Sequence, residues 1–203
     1  MRMVIATRST HKMKEIREIL ADVPDLELLS LDDAGVEYNP EEEELEPFET
    51  FEENARSKAV YFRRKTGLPT AADDSGLEVD ALDGRPGVRT KRFAPGEDLE
   101  GEARDRANNE HLLRLMEGRL PEDREARYVC VAALAWEEDR VDCFRGEAPG
   151  RVLETPRGTS GFGYDPVILD ITSGRSFAEL TPAEKNDRSH RGRAFRALGE
   201  ALR

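Results

Sequence analysis

Apolar and polar positions alternate along this chain with two periods, and the order of those periods predicts its architecture. Residues 1–6 form a strand-like run, and Met13, Ile16, Ile19, Leu20 and Val23 then fall on one helical stripe across residues 12–23. Residues 26–31 read as a second strand, followed by a glutamate-rich loop over 37–46 that ends near Pro47. Thr50 with Glu53 three positions on is a capping-box pattern. It opens a helix that carries Phe51, Ala55, Ala59 and Phe62 and stops at Gly67. A short strand to residue 72, another over 77–82 and a helix over 101–117 come next. Residues 127–137 and 141–147 read as long paired strands around Glu138 and Asp139, and 152–154 continue the sheet beyond Pro149 and Gly150. A loop over 161–166, a short element over 176–180 and a closing helix over 190–202 complete the chain. Helices alternate with strands first and a long hairpin follows, an order that predicts an α/β fold with a mixed sheet.

At 203 residues the chain is long enough to bury a core and suits a single domain, residues 1–203, of one or two intimate lobes. No apolar run approaches the roughly 20 residues of a membrane helix, and the N-terminus lacks a signal-peptide layout. Cys130 and Cys143 both lie in apolar, strand-like runs, so they read as reduced core residues of a cytoplasmic protein. The formal charge of −12 argues against polymeric nucleic acid as a partner. A small anion remains compatible, provided that a local cluster of cations or a bridging metal overcomes the overall field.

Four stretches carry candidate chemistry. ATRSTHK, residues 6–12, lies between the first strand and the first helix, where free N–H groups and the helix N-terminus suit phosphate and Lys12 adds a point charge. A plain hydroxyl-capped helix start fits the same residues. ADDSG, residues 72–76, sets adjacent carboxylates after an apolar strand, a sensible Mg²⁺ and water-activating site, though also an Asx-type turn. SGFGYDP, residues 160–166, combines glycines that admit close approach with Phe162 and Tyr164 as a stacking face and Asp165 as an acceptor; a loop of core-covering aromatics reads as well. AEKNDRSHR, residues 183–191, gathers Lys185, Asn186, Ser189, His190 and Arg191, either as a donor cluster or as wet surface. The acidic run 41–44 reads as solvated loop. Together these are parts for handling a nucleoside triphosphate.

With these motifs in view, the chain resembles the inosine/xanthosine triphosphate pyrophosphatases, the Ham1 family of non-canonical purine nucleotide pyrophosphatases. VIATRSTHKMKEI, TFEENARSKA, ADDSGLEVDALDGRPGV, SGFGYDP and AELTPAEKNDRSHRGRA match in order from residue 4 to 197. The resemblance implies hydrolysis of ITP, dITP and XTP to monophosphate and pyrophosphate and a Mg²⁺ requirement. It also implies an elongated α/β fold of two lobes around a nucleotide cleft, and a homodimer. It implies phosphate contacts from Thr7, Arg8, Ser9, Thr10, His11 and Lys12, with Lys58 reaching in from its helix. Asp74 would be metal-bound carboxylate and base, with Asp73 beside it and Ser75 touching substrate. Phe162 would stack on the purine, among Gly163, Tyr164 and Asp165, while Lys185, His190 and Arg191 grip the base edge. The chain departs from the family at Ser9, usually asparagine, and at Arg89, usually tyrosine, with Thr90 and Lys91 where small residues stand. Glu46 is the best match for a second metal carboxylate, with Glu41 and Glu44 as alternatives. The rivals are a Maf-like pyrophosphatase for modified pyrimidine nucleotides and a purine nucleotide sensor without turnover.

Overall fold

Side-chain caps set where the early elements begin and end in the computed structural model, which describes residues 1–96 and 99–203. β1 (Arg2–Ile5) gives way to α1 (Thr10–Ile19), whose N-cap Ser9 accepts the Lys12 N–H. After β2 (Glu27–Leu29), a 3-10 turn over Pro40–Glu44 leads to α2 (Phe51–Thr66). Thr50 makes one arm of the expected capping box: its Oγ1 accepts the Glu53 N–H, and its hydroxyl donates to the Glu53 carboxylate at 2.6 Å. Gly67, at φ 68°, closes α2 in the left-handed region, where a Cβ would be penalised.

The strand break expected at residue 72 is absent. β3 runs unbroken from Thr70 to Val79, and a 3-10 turn over Asp80–Leu82 takes the place of the end of the expected 77–82 strand. Asp73 and Asp74 do not end the strand because successive side chains point to opposite faces, where each carboxylate finds its own partners. β4 (Pro86–Gly87), α3 (Gly101–Leu115), β5 (Glu125–Ala135) and β6 (Val141–Val152) follow, then β7 (Ile168–Asp170), β8 (Arg175–Ser176), α4 (Pro182–Arg188) and α5 (His190–Ala201). The stretch 141–147 runs on through Pro149 and Gly150 to Val152 as one strand, β6, while residues 153–154 lie beyond its end.

The strands form an eight-stranded sheet in the order β2-β1-β3-β5-β6-β7-β8, with β4 added to β3. β1 is parallel to β2 and β3, pairing Val4 with Leu29 and Thr70. β4 runs antiparallel to β3, and β7 antiparallel to β6 and β8. This is the mixed α/β sheet expected from the alternation. The chain divides into two compact units, one of residues 1–75, 130–146 and 189–203, the other of 76–129 and 147–188. The first packs α1 and α5 on the sheet through Met3, Ile16, Ala71, Leu134, Phe195 and Leu198. The second is built around Leu77, Leu112, Met116, Val152, Ile168 and Phe177.

Two expectations fail on burial. Cys130 is buried but Cys143 is exposed; strict alternation of buried and exposed residues on β6 begins only at Gly146, and over Cys143 lies the polar Arg56 side chain of α2 rather than apolar core. The acidic run 41–44 is not simply solvated. The Glu42 side chain is 8% exposed and takes both Arg8 Nε (3.0 Å) and Nη2 (2.8 Å), while Glu41 accepts from Tyr61. No helix among the described residues is long and apolar enough to cross a membrane.

Arg124 ties the second unit together. Only 5% exposed, it donates to the carbonyls of Val152 (2.7 Å), Met116 (2.7 Å) and Leu153 (2.6 Å), joining the ends of α3 and β6. Arg124→Met keeps much of the bulk but leaves these acceptors unpaired, so urea unfolding should show a loss of about 3 kcal/mol; a loss under about 1 kcal/mol would mean that water replaces the guanidinium at no cost.

Candidate active site

β3 lies between β1 and β5, and the pleat sends Ala71, Asp73 and Ser75 to one face and Ala72 and Asp74 to the other. On the first face, Asp73 is 1% exposed. Its Oδ2 accepts from Lys12 Nζ at 2.9 Å and from Arg191 Nη2 at 3.3 Å, with Ser75 Oγ at 3.4 Å. Arg191, itself 2% exposed, also donates to Glu15 at 2.6 Å and to Ser75 Oγ at 3.2 Å. Burial alone would raise the Asp73 pKa, but Lys12, Arg191 and Lys58 outweigh it and hold the carboxyl well below its usual range. Burial likewise works against the Arg191 charge, and Asp73 and Glu15 overcome it.

On the opposite face, Asp74 is 7% exposed and accepts from Asn54 Nδ2 at 3.0 Å and from the Ser75 N–H at 2.9 Å. Burial, and then the Glu46 carboxylate, push its pKa up to about 6. Glu46 is ion-paired with Lys58 of α2. Burial opposes the Lys58 charge, but Glu46, Asp73 and Asp74 hold its pKa above the ordinary lysine value. Asn54 is fixed in turn, accepting the Phe48 N–H at 2.9 Å and donating to the Phe48 carbonyl at 3.2 Å. Among the described residues, no cluster of three or more His, Cys, Asp or Glu is placed to hold a metal. Asp74 and Glu46 are a two-carboxylate oxygen set, and the Glu46 charge helps to raise the proton affinity of Asp74. That set fits Mg²⁺, which takes one or two carboxylates and completes its shell with water and phosphate oxygens.

The stretch 160–166 folds around Asp165, which is 4% exposed. Its Oδ2 accepts the Phe162 N–H (2.9 Å) and Lys185 Nζ (2.8 Å), and Tyr128 donates to Oδ1 at 3.3 Å. Gly161 sits at φ 82°, and a Cβ there would meet Asp165 Oδ2 at 2.1 Å, so only glycine permits this closure. Lys185 Nζ also lies 4.4 Å from the Phe162 ring centroid, a cation–π contact. Tyr164 is buried and donates to the Thr90 carbonyl at 2.8 Å.

The structure therefore brings Lys12, Asp73, Ser75 and Arg191 together, sets Asp74 within the electrostatic reach of the Glu46–Lys58 pair, and joins Phe162, Asp165 and Lys185. AEKNDRSHR is not wet surface: Lys185, Ser189, His190 and Arg191 are all buried. Thr7 Oγ1 accepts the Ser9 N–H, and Ser9 caps α1, while Thr10 and His11 are exposed in its first turn. Arg8 turns away to Glu42, Asp32 and the Val36 carbonyl. Of the alternatives to Glu46, Glu41 bonds Tyr61 and Glu44 is exposed. Sequence reading missed Glu15, Asn54 and Tyr128, because each looks like an ordinary position within its element. The spacing of Asn54 to Lys58 along one helix face was the one signal available.

Two buried carboxylates on an inner strand, surrounded by Lys12, Lys58 and Arg191 from three helices, define a mixed α/β protein with a dense buried charge cluster. The chain belongs to the Ham1 family, whose family model matches residues 3–201. It is 43% identical over 203 residues to the dITP/XTP pyrophosphatase of Thermus thermophilus, covering 100% of this chain and 92% of that protein. It is 46% identical over 204 residues to the dITP/XTP pyrophosphatase of Frankia alni, covering 100% and 98%. Among solved structures, a HAM1 protein from Coxiella burnetii matches with a TM-score of 0.86 at 35% identity, covering 100% of this chain and 98% of the other. The Ham1 protein of Staphylococcus aureus gives 0.84 at 32%, with the same coverage.

Breaking a buried ion pair by removing one partner costs about 3–5 kcal/mol, because the other charge is stranded. Arg191→Met should therefore destabilise the protein by that order in urea titrations. Adding Asp73→Asn to it should recover part of the loss, since the stranded charge is then gone. No recovery in the double variant would show that Arg191 acts through Glu15 instead.

Proposed function

We propose that this protein hydrolyses non-canonical purine nucleoside triphosphates, ITP, dITP and XTP, to the monophosphate and pyrophosphate, clearing them from the nucleotide pool. The observation that carries this reading is the Asp73–Asp74 pair among Lys12, Lys58 and Arg191, in a chain 43% and 46% identical to proteins named dITP/XTP pyrophosphatases. Cytoplasmic location and assembly as a homodimer belong to the same reading, and sedimentation velocity tests the second.

In this mechanism Thr7, Ser9, Thr10 and His11 hold the phosphates at the start of α1, and Lys12 and Lys58 neutralise their charge, while Arg8 stays with Glu42 and Asp32. Ser75 touches the substrate beside Asp73. Asp74 orients a water molecule and draws its proton as the water oxygen bonds to the α-phosphorus. The bond from that phosphorus to the bridging oxygen breaks, and pyrophosphate leaves with the electron pair. Asp74 and Glu46 would hold Mg²⁺, which supplies charge neutralisation at the phosphate oxygens. Phe162 stacks on the purine among Gly163, Tyr164 and Asp165, and Lys185 and His190 grip the base edge, while Arg191 stays with Asp73 and Glu15. Hypoxanthine and xanthine offer a C6 carbonyl where adenine has an amino group, and a charged lysine only donates. Against adenine this donor faces another donor, which favours the oxidised purines.

Incubation with ITP and Mg²⁺ should release IMP and pyrophosphate in equal amounts; IDP with orthophosphate as first products would overturn attack at the α-phosphorus. Asp74→Asn keeps the side-chain shape and removes its charge and basicity. Turnover should fall by at least about 10²-fold, and near-normal turnover at saturating Mg²⁺ would remove Asp74 from the mechanism.

A further inference from the structure

The stretch that carries Phe162 is held from a second direction by side chains outside every motif. Gly163 donates its N–H to Asp105 Oδ2 at 2.8 Å and accepts at its carbonyl from Asn109 Nδ2 at 3.0 Å. Asp105 and Asn109 stand one turn apart on α3, so one helix face takes both backbone groups of one glycine. The neighbouring Phe162 N–H is taken by Asp165 at 2.9 Å. Two consecutive residues are thus pinned, the first by the carboxylate that also holds Lys185 and the second by α3.

The amide of Asn109 carries a cost that bulk packing would avoid. Its Oδ1 is buried and has no hydrogen-bond partner among the described residues. A buried acceptor without a partner is unfavourable, so an apolar residue would suit this spot better if filling space were its task. The bond from Nδ2 to the Gly163 carbonyl is what the asparagine contributes. Asp105 is half-buried, and its contact with the Gly163 N–H needs only an acceptor at that position.

We propose that Asp105 and Asn109 are positioning residues for base recognition: they clamp Gly163 from α3 and thereby set the Phe162 ring and its Lys185 partner against the purine. This rests on the functional reading above. Neither residue touches the substrate. Both act through the loop, so their removal should weaken binding of the base while leaving the phosphate chemistry in place. Stacking of a base on an aromatic ring is worth roughly five- to a hundredfold in affinity, and a partly displaced ring should forfeit about a tenfold share of it.

The test compares the full-length wild type with Asp105→Ala, Asp105→Asn, Asn109→Ala and Asn109→Asp, each checked for folding by thermal melting. For ITP with Mg²⁺, Asp105→Ala and Asn109→Ala should raise KM about tenfold and leave kcat within about twofold. Calorimetry should show weaker IMP binding, while inhibition by pyrophosphate, which has no base, stays within about twofold. Asp105→Asn should restore the wild-type KM, because its amide oxygen still accepts the Gly163 N–H. Asn109→Asp, isosteric but with an acceptor facing the Gly163 carbonyl, should match or exceed the defect of Asn109→Ala and serves if the alanine variant does not fold. Folded variants with unchanged KM and IMP affinity, equal losses for IMP and pyrophosphate, or no rescue by Asp105→Asn would each overturn the clamp. Wild-type protein inert toward ITP would overturn the functional reading itself, and the clamp with it.

Discussion

A charged carboxylate inside a protein is tolerable only where opposite charges and donors replace the water it has lost. Asp73 imposes that constraint on the first unit. It sits on an inner strand at 1% exposure, so its counter-charges cannot come from solvent and must be delivered by helices packed on that face. α1 delivers Lys12 and α5 delivers Arg191. Each delivery depends on where the helix begins, and in both cases a serine sets the start: Ser9 accepts the Lys12 N–H and Ser189 accepts the Gly192 N–H. The capping serines and the cations therefore form one device, and a one-residue slip in either helix would turn its cation away from the strand.

The same strand shows how adjacent acids coexist. Repulsion between neighbouring carboxylates is severe when both face one pocket, but the pleat separates Asp73 from Asp74. Asp73 meets two cations directly and stays ionised, whereas burial and then the Glu46 carboxylate push the Asp74 pKa up to about 6, against the Asn54 amide, which favours the charged form. Two identical side chains thus acquire different chemistry from the two faces of one strand, one as a fixed charge and one as a group able to exchange a proton.

Much of this was legible in the sequence, for identifiable reasons. Helix starts at Ser9 and Thr50 and the stop at Gly67 are local chemistry, and the stripes Met13–Ile16–Leu20 and Phe51–Ala55–Ala59–Phe62 are periodic, so both survive into the structure. What failed depended on packing between distant segments. The continuity of β3 through Asp73 and Asp74 rests on partners from three helices, which no window of sequence contains. Cys143 reads as core by its strand-forming neighbours, yet the side chain that meets it from α2 is the polar Arg56. Arg8 stands in a phosphate-like motif, but the carboxylates of Asp32 and Glu42, far along the chain, take its guanidinium. Asp105 and Asn109 lie on a helix whose polar residues give no hint of which backbone they will meet.

The segment of Arg89, Thr90 and Lys91 is held chiefly through its backbone. Tyr164 anchors this segment through the Thr90 carbonyl at 2.8 Å, and Asn108 reaches the Thr90 and Lys91 carbonyls at 3.4 and 3.1 Å. Asn108 also accepts the Ala94 N–H at 2.9 Å, closing the segment at its far end. These bonds are made to backbone, which every residue supplies, so the side chains there can change without loosening the Tyr164 anchor. Thr90 is the partial exception, since its Oγ1 accepts the Leu77 N–H at 3.4 Å, a weak contact at that length. By contrast, the acceptor at Asp165 and the missing Cβ at Gly161 have no backbone substitute. Freedom to vary therefore belongs to the segment that supports the loop, and constraint to the residues that shape it.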